Sequence, residues 1–116
     1  MTPTIVLKNN KPYLVLGTPG GATIITTVFQ NILNVVLHDM NIKEAVSSPR
    51  IHSQWLPDMV FYEKYGLSSD IIENLKVRGH DMKLRGNIGE ANGIMINEKG
   101  FWGGPDSRGK NTAIGY

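Results

Sequence analysis

LVLGTPGGATIITTVFQNIL, residues 14–33, decides how the chain is read. An apolar run with strand character stops at Gly17, Pro19 is followed by adjacent Gly20 and Gly21, and a long apolar-periodic segment begins. A strand, a tight glycine turn and a helix start make a junction able to hold an anion on backbone N–H groups. The helix signal from Ala22 to about His38 is the strongest in the sequence. Ile25, Phe29, Ile32 and Val36 share one stripe, widened by Ile24, Val28, Leu33 and Leu37. Thr23, Thr26 and Thr27 are poor helix formers, so packing rather than propensity must hold this segment, as a buried layer helix.

Upstream, TIVLK, NNKP and YLVLG read as a β-hairpin, with Asn9 and Asn10 suited to left-handed turn positions. Both strands are continuous apolar runs, which implies burial on both faces. Downstream, NIKEAVSSPR is a short helix. Asn41 is its N-cap, Glu44 completes a capping box, and Pro49 stops it. HSQWLPDMVFYEKYG is loop and then a strand at Val60–Glu63. In that loop Trp55 and Leu56 beside Pro57 read as a packed anchor, and Arg50 and Asp58 are placed to pair. Ser68 or Ser69 caps a third helix over about Asp70–Arg78, which Gly79 ends. DMKLR is a short strand, ANGIMINEKGFWGG a hairpin about its NEKG turn, and PDSRGKNTAIGY a polar, glycine-rich tail. The expectation is a single α/β domain of the α+β type over residues 1–116, with mostly antiparallel strands.

At 116 residues the chain suffices for one domain and its core, and 41% hydrophobic against 19% charged residues is a globular composition. The net charge of +2 is scattered. The densest basic stretch, RGHDMKLR, is broken by Asp81 and has no interleaved aromatics, so it reads as a solvated surface and not a nucleic-acid track. The absence of cysteine excludes disulfides, thiolate metal sites and cysteine nucleophiles. MTPTIVLKNNK has no apolar core of a signal peptide, and no run reaches the length of a membrane span. There is no G-x-S-x-G elbow for a serine nucleophile. His38, His52 and His80 lack metal-ligand spacing and are expected to be surface or structural residues, so neither metal nor cofactor is expected. The glycine turn is neither a Walker loop nor G-x-G-x-x-G. On its residues alone it is either a site of close helix–strand packing or a pair of N–H donors for a developing oxyanion.

These pieces, in this order, resemble the small subunit of γ-glutamyltransferase (γ-glutamyl transpeptidase), a family of the N-terminal-nucleophile hydrolase superfamily. The matching stretches are MTPTIVLKNNKPYLVLGTPGGATIITTVFQNILNVV, MNIKEAVSSPRIHSQWLPD, RGHDM and the closing DSRGKNTAIGY. The resemblance implies a portion of an α-β-β-α sandwich. It implies that Gly20 and Gly21 form the oxyanion hole for a γ-glutamyl carbonyl, and that MTPT follows a serine pair that helps to hold the substrate's α-carboxylate. The threonine nucleophile, whose α-amine serves as base, lies in the family upstream of the matching region, as do other donor-binding residues. Thr2 matches a position that is not the nucleophile. The implied partners are the remainder of the small subunit, the large subunit and, in a complete enzyme, a γ-glutamyl substrate such as glutathione, its γ-glutamyl group passing to water or an amino acid. The resemblance implies a periplasmic or extracellular place for the complete bacterial enzyme. The alternative is a non-catalytic, stand-alone fragment that self-associates or binds anions weakly. In either case strand edges and apolar faces left open by missing strands predict a homodimer of the isolated chain.

Overall fold

A computed structural model describes residues 3–115. The chain divides into two compact units, one formed by residues 1–48 and 89–116 and the other by Pro49–Ile88. In the first lie β1 (Thr4–Lys8), β2 (Lys11–Gly17), α1 (Thr23–Val36), α2 (Ile42–Ser47), β6 (Asn92–Asn97) and β7 (Gly100–Pro105). In the second lie β3 (Ile51–Ser53), β4 (Val60–Glu63), α3 (Ser69–Val77) and β5 (Met82–Arg85).

The first unit is a four-stranded antiparallel sheet in the order β1-β2-β6-β7. Lys8 pairs with Lys11, so Asn9 and Asn10 are a two-residue loop, and both have positive φ, at +53° and +60°. That is the backbone a two-residue hairpin demands and asparagine tolerates. Asn97 pairs with Gly100 to close the second hairpin, and the Asn97 side chain accepts from the Lys99 N–H at 2.9 Å and the Trp102 indole N–H at 3.1 Å.

One face of this sheet carries the core. Leu14 and Leu16 pack with Val35, Ile42, Ala45, Val46 and Ala91, so α1 and α2 cover that side. The opposite face is open. Ile5, Val15 and Ile94 stand side by side across three strands, and Ile5, Ile94 and Phe101 are exposed. The two-sided burial expected of the first hairpin is therefore corrected to one-sided burial, because within the described residues no layer covers the second face.

α1 forms where its periodicity places it, but its orientation is corrected. Its buried residues are Thr23, Thr27, Val28, Asn31 and Val35, whereas Ile25 is 79% and Phe29 58% exposed. The small polar side of the helix faces inward because backbone reaches it there. A Cβ on Gly89 would lie 2.7 Å from Thr27 Oγ1 and 2.9 Å from Thr18 Oγ1, an approach open only to glycine. α2 has the expected capping box: Asn41 Oδ1 accepts from the Glu44 N–H at 2.9 Å and the Glu44 carboxylate from the Asn41 N–H at 3.2 Å.

In the second unit β3 pairs antiparallel with β4, and β4 pairs parallel with β5 through the α3 crossover. Ser68 is the N-cap of α3 but makes no capping bond to the backbone. Its hydroxyl bonds the Asp70 carboxylate instead, holding that carboxyl below the ordinary Asp range. Gly79 follows the helix with φ +93° and donates to the Lys76 carbonyl at 2.9 Å, as a C-terminal glycine does. Trp55 is 87% exposed and Leu56 is exposed too, so the expected loop anchor is corrected to a surface feature. The inner anchor of this unit is Glu63, which accepts from the Arg50 N–H at 2.8 Å and the Ile88 N–H at 2.6 Å.

Candidate functional site

The turn between β2 and α1 is made by residues 18–22. Thr18 is fully buried, while Pro19, Gly20, Gly21 and Ala22 are exposed. Gly20 has φ +141° and Gly21 φ +57°, backbone that an L side chain adopts only under strain. The Gly20 carbonyl accepts from the Thr23 N–H at 3.1 Å and from the Thr23 hydroxyl at 2.9 Å, and the Gly21 carbonyl accepts from the Ile24 N–H at 3.1 Å. These bonds close the turn with carbonyls and do not engage the two glycine N–H groups.

The two glycines are needed for different reasons. A Cβ on Gly20 would lie 2.5 Å from Thr23 Oγ1, so both contact and backbone forbid it. A Cβ on Gly21 would meet nothing within 4 Å, so only the backbone objects and the space beside it is open. The turn also stands at the positive end of α1, whose first turn has no acidic residue to offset the dipole. Two adjacent exposed N–H groups at such a place can stabilise negative charge that develops on an oxygen.

A hydrogen-bonded support lies behind the turn. The Thr18 hydroxyl donates to the Pro19 carbonyl at 2.7 Å and accepts from the Glu90 N–H at 2.9 Å. The Asn111 side-chain amide donates to the Glu90 carboxylate at 2.9 Å and to the Asp106 carbonyl at 3.2 Å. Asp106, also buried, accepts from the Ala91 N–H at 2.7 Å and from the Arg108 guanidinium and N–H at 3.0 Å each. Arg108 also donates to the Val46 and Ser48 carbonyls at the end of α2, at 3.0 and 2.8 Å. The polar tail expected at these residues is instead a buried, hydrogen-bonded support. The signal was the pair of opposite charges two residues apart in Asp106-Ser107-Arg108, inside an otherwise glycine-rich stretch.

Gly20 and Gly21 thus stand together as the sequence places them. His38 and His80 are exposed. His52 is buried in the other unit, with Nε2 2.9 Å from Gln54 Oε1 and its ring stacked on Phe61 at 6.2 Å, a structural setting. Arg50 is buried and its guanidinium donates to the Ile88 carbonyl at 2.8 Å, whereas Asp58, the expected partner, is exposed. Of the MTPT stretch, Met1 and Thr2 lie outside the described residues, and Thr4 opens β1 opposite Leu16. Among the described residues no three histidine, aspartate or glutamate side chains gather as a metal-binding group, and no helix is long and apolar enough to cross a membrane.

Comparison with known proteins gives a consistent result. The family model described as gamma-glutamyltranspeptidase matches residues 1–116. The chain is 42% identical over 109 residues to the glutathione hydrolase proenzyme of Escherichia coli K12, a match that covers 93% of this chain and 19% of that protein. It superposes on a mutant γ-glutamyltranspeptidase of Helicobacter pylori with a TM-score of 0.89 and 50% identity, covering 94% of this chain and 61% of that one. With the Pseudomonas nitroreducens enzyme, whose structure is a complex with L-DON, the TM-score is 0.91 at 34% identity, over 100% of this chain and 62% of that one. The chain therefore spans about a fifth of the length of the bacterial glutathione hydrolase proenzymes it matches.

Proposed function

The chain belongs to the γ-glutamyltranspeptidase family, and on that premise we propose that it supplies the oxyanion-stabilising turn of a γ-glutamyl-transferring or glutathione-hydrolysing enzyme. In this reading the N–H groups of Gly20 and Gly21 receive the oxygen of the γ-glutamyl carbonyl as nucleophilic attack converts it to a tetrahedral oxyanion. Each such donor is worth about 3 kcal/mol of transition-state stabilisation. The threonine nucleophile and the residues that hold the α-amino and α-carboxylate groups of the substrate come from other segments, in the remainder of the small subunit and in the large subunit.

One observation carries the reading: two adjacent exposed glycines of positive φ, whose N–H groups have no backbone hydrogen bond among the described residues, stand at the positive end of α1, with open space at Gly21. The test is release of the chromophore from a γ-glutamyl anilide. The chain alone is expected to release none, and the chain joined to upstream family segments that supply both the large subunit and the threonine-bearing part of the small subunit is expected to turn over. Placing a side chain at Gly21 in the joined enzyme should then remove most of that turnover while leaving the protein folded.

The open sheet face favours a second property beside this one. Ile5, Val15, Ile94 and Phe101 form an apolar surface on a sheet whose edge strand β1 has, among the described residues, a free side. In the isolated chain a second copy is the partner that buries it, giving a homodimer.

A further inference from the structure

We infer that Thr18 and Thr23 are positioning residues, each fixing the direction of one of the two N–H groups at the glycine turn; the inference rests on the oxyanion reading above. A trans peptide is planar, and its C=O and N–H point in opposite directions. Among the described residues the only cis peptide is Leu56–Pro57, so the peptides linking Pro19 to Gly20 and Gly20 to Gly21 are both trans. Whatever holds the Pro19 carbonyl therefore aims the Gly20 N–H, and whatever holds the Gly20 carbonyl aims the Gly21 N–H.

Each carbonyl is held by a buried threonine hydroxyl. Thr18 Oγ1 donates to the Pro19 carbonyl at 2.7 Å, and its own direction is set because it also accepts from the Glu90 N–H at 2.9 Å. Thr23 Oγ1 donates to the Gly20 carbonyl at 2.9 Å, beside the bond from the Thr23 N–H at 3.1 Å. Both side chains are inside the protein, Thr18 fully and Thr23 almost so. With the carbonyls drawn inward, toward Thr18 and toward the first turn of α1, the two N–H groups are turned outward to the exposed side. Gly20 has no side chain because the Thr23 hydroxyl stands where its Cβ would project. Gly89 has none because Thr18 and Thr27 stand where its Cβ would project, and this lets the Glu90 N–H come within reach of Thr18.

The pairing is selective, and that separates it from a general stabilising role. Thr18→Val should loosen the Gly20 N–H and spare that of Gly21. Thr23→Ala should do the reverse, and Thr18→Ser and Thr23→Ser should restore each. The readout is the backbone ¹⁵N order parameter of the two glycines in the 116-residue chain. In the unaltered protein both are expected near the rigid-backbone value of about 0.85, with a fall below about 0.6 at the matching glycine alone in each variant. Mobile glycines in the unaltered chain would overturn the inference without any variant. So would a variant whose two glycines move together or not at all.

The same substitutions in the chain joined to upstream segments that supply the large subunit and the threonine-bearing part of the small subunit give the kinetic arm. A misdirected donor should lower kcat about tenfold with KM little changed, a part of the 10²–10³ lost when a donor is removed outright. Loss of order without loss of kcat would leave the positioning intact and defeat the oxyanion reading. Unchanged order with lowered kcat would defeat the positioning.

Discussion

At the scale of single residues, the turn shows why two neighbouring glycines are not equivalent. Gly20→Ala meets Thr23 Oγ1 at 2.5 Å and also needs a φ of +141°, so the Thr23 hydroxyl must leave its bond to the Gly20 carbonyl. Gly21→Ala meets nothing and is penalised only by its φ of +57°, a cost of about 1–2 kcal/mol. Urea or thermal unfolding should therefore rank Gly20→Ala as the more destabilising, with Gly21→Ala still folded. Equal losses would mean that the contact with Thr23 is not made. The glycine pair was legible in the sequence because glycine repeated after proline is rare enough to need a reason. Asp106 and Arg108 were not legible, because a charged residue in a polar stretch looks solvated until its buried partners are known.

At the scale of elements, local rules with their own chemistry were read well. The Asn9–Asn10 loop, the Asn41 and Glu44 capping box, and the Gly79 end of α3 each carry their instruction in two or three residues. The orientation of α1 was not readable in that way. An apolar stripe says which side avoids water, whereas the buried side of α1 holds Thr23, Thr27 and Asn31 beside Val28 and Val35, and of the expected stripe Ile32 packs against the core. β3 escaped because three residues give no period. The Ser68 hydroxyl gives a test at this scale. Because its bond lowers the pKa of Asp70, folding favours the charged carboxylate. That contribution is complete above the ordinary, unfolded value and is lost as pH falls through the lowered, folded value. Ser68→Ala should move the Asp70 titration upward in an NMR pH series, and an unmoved midpoint would mean that the hydroxyl is not the cause.

At the scale of the whole molecule, the first unit has a covered and an uncovered sheet face, while α1 displays Ile25 and Phe29 outward. A mixed fold with mostly antiparallel strands was legible from the alternation of strand and helix signals, and the likeness to γ-glutamyltranspeptidase structures bears it out. The open face was not legible in the strands themselves, since continuous apolar runs imply cover on both sides, but it was expected from the resemblance, in which the chain is a portion of a larger sandwich. Sedimentation equilibrium should find the isolated chain dimeric. Ile94→Glu or Phe101→Glu should shift it to monomer, with the secondary structure retained and the concentration dependence of unfolding lost. A chain that is monomeric at high concentration before any substitution would contradict the homodimer.

The most direct test of the proposed function is γ-glutamyl anilide cleavage by the purified 116-residue chain, alone and joined to upstream family segments that supply the large subunit and the threonine-bearing part of the small subunit. No chromophore release is expected from the chain alone and turnover is expected once they are joined, with most of that turnover removed by Gly21→Ala in a protein that still folds. Turnover by the chain alone that survives exhaustive purification, or full activity of the joined enzyme with Gly21 replaced, would contradict it.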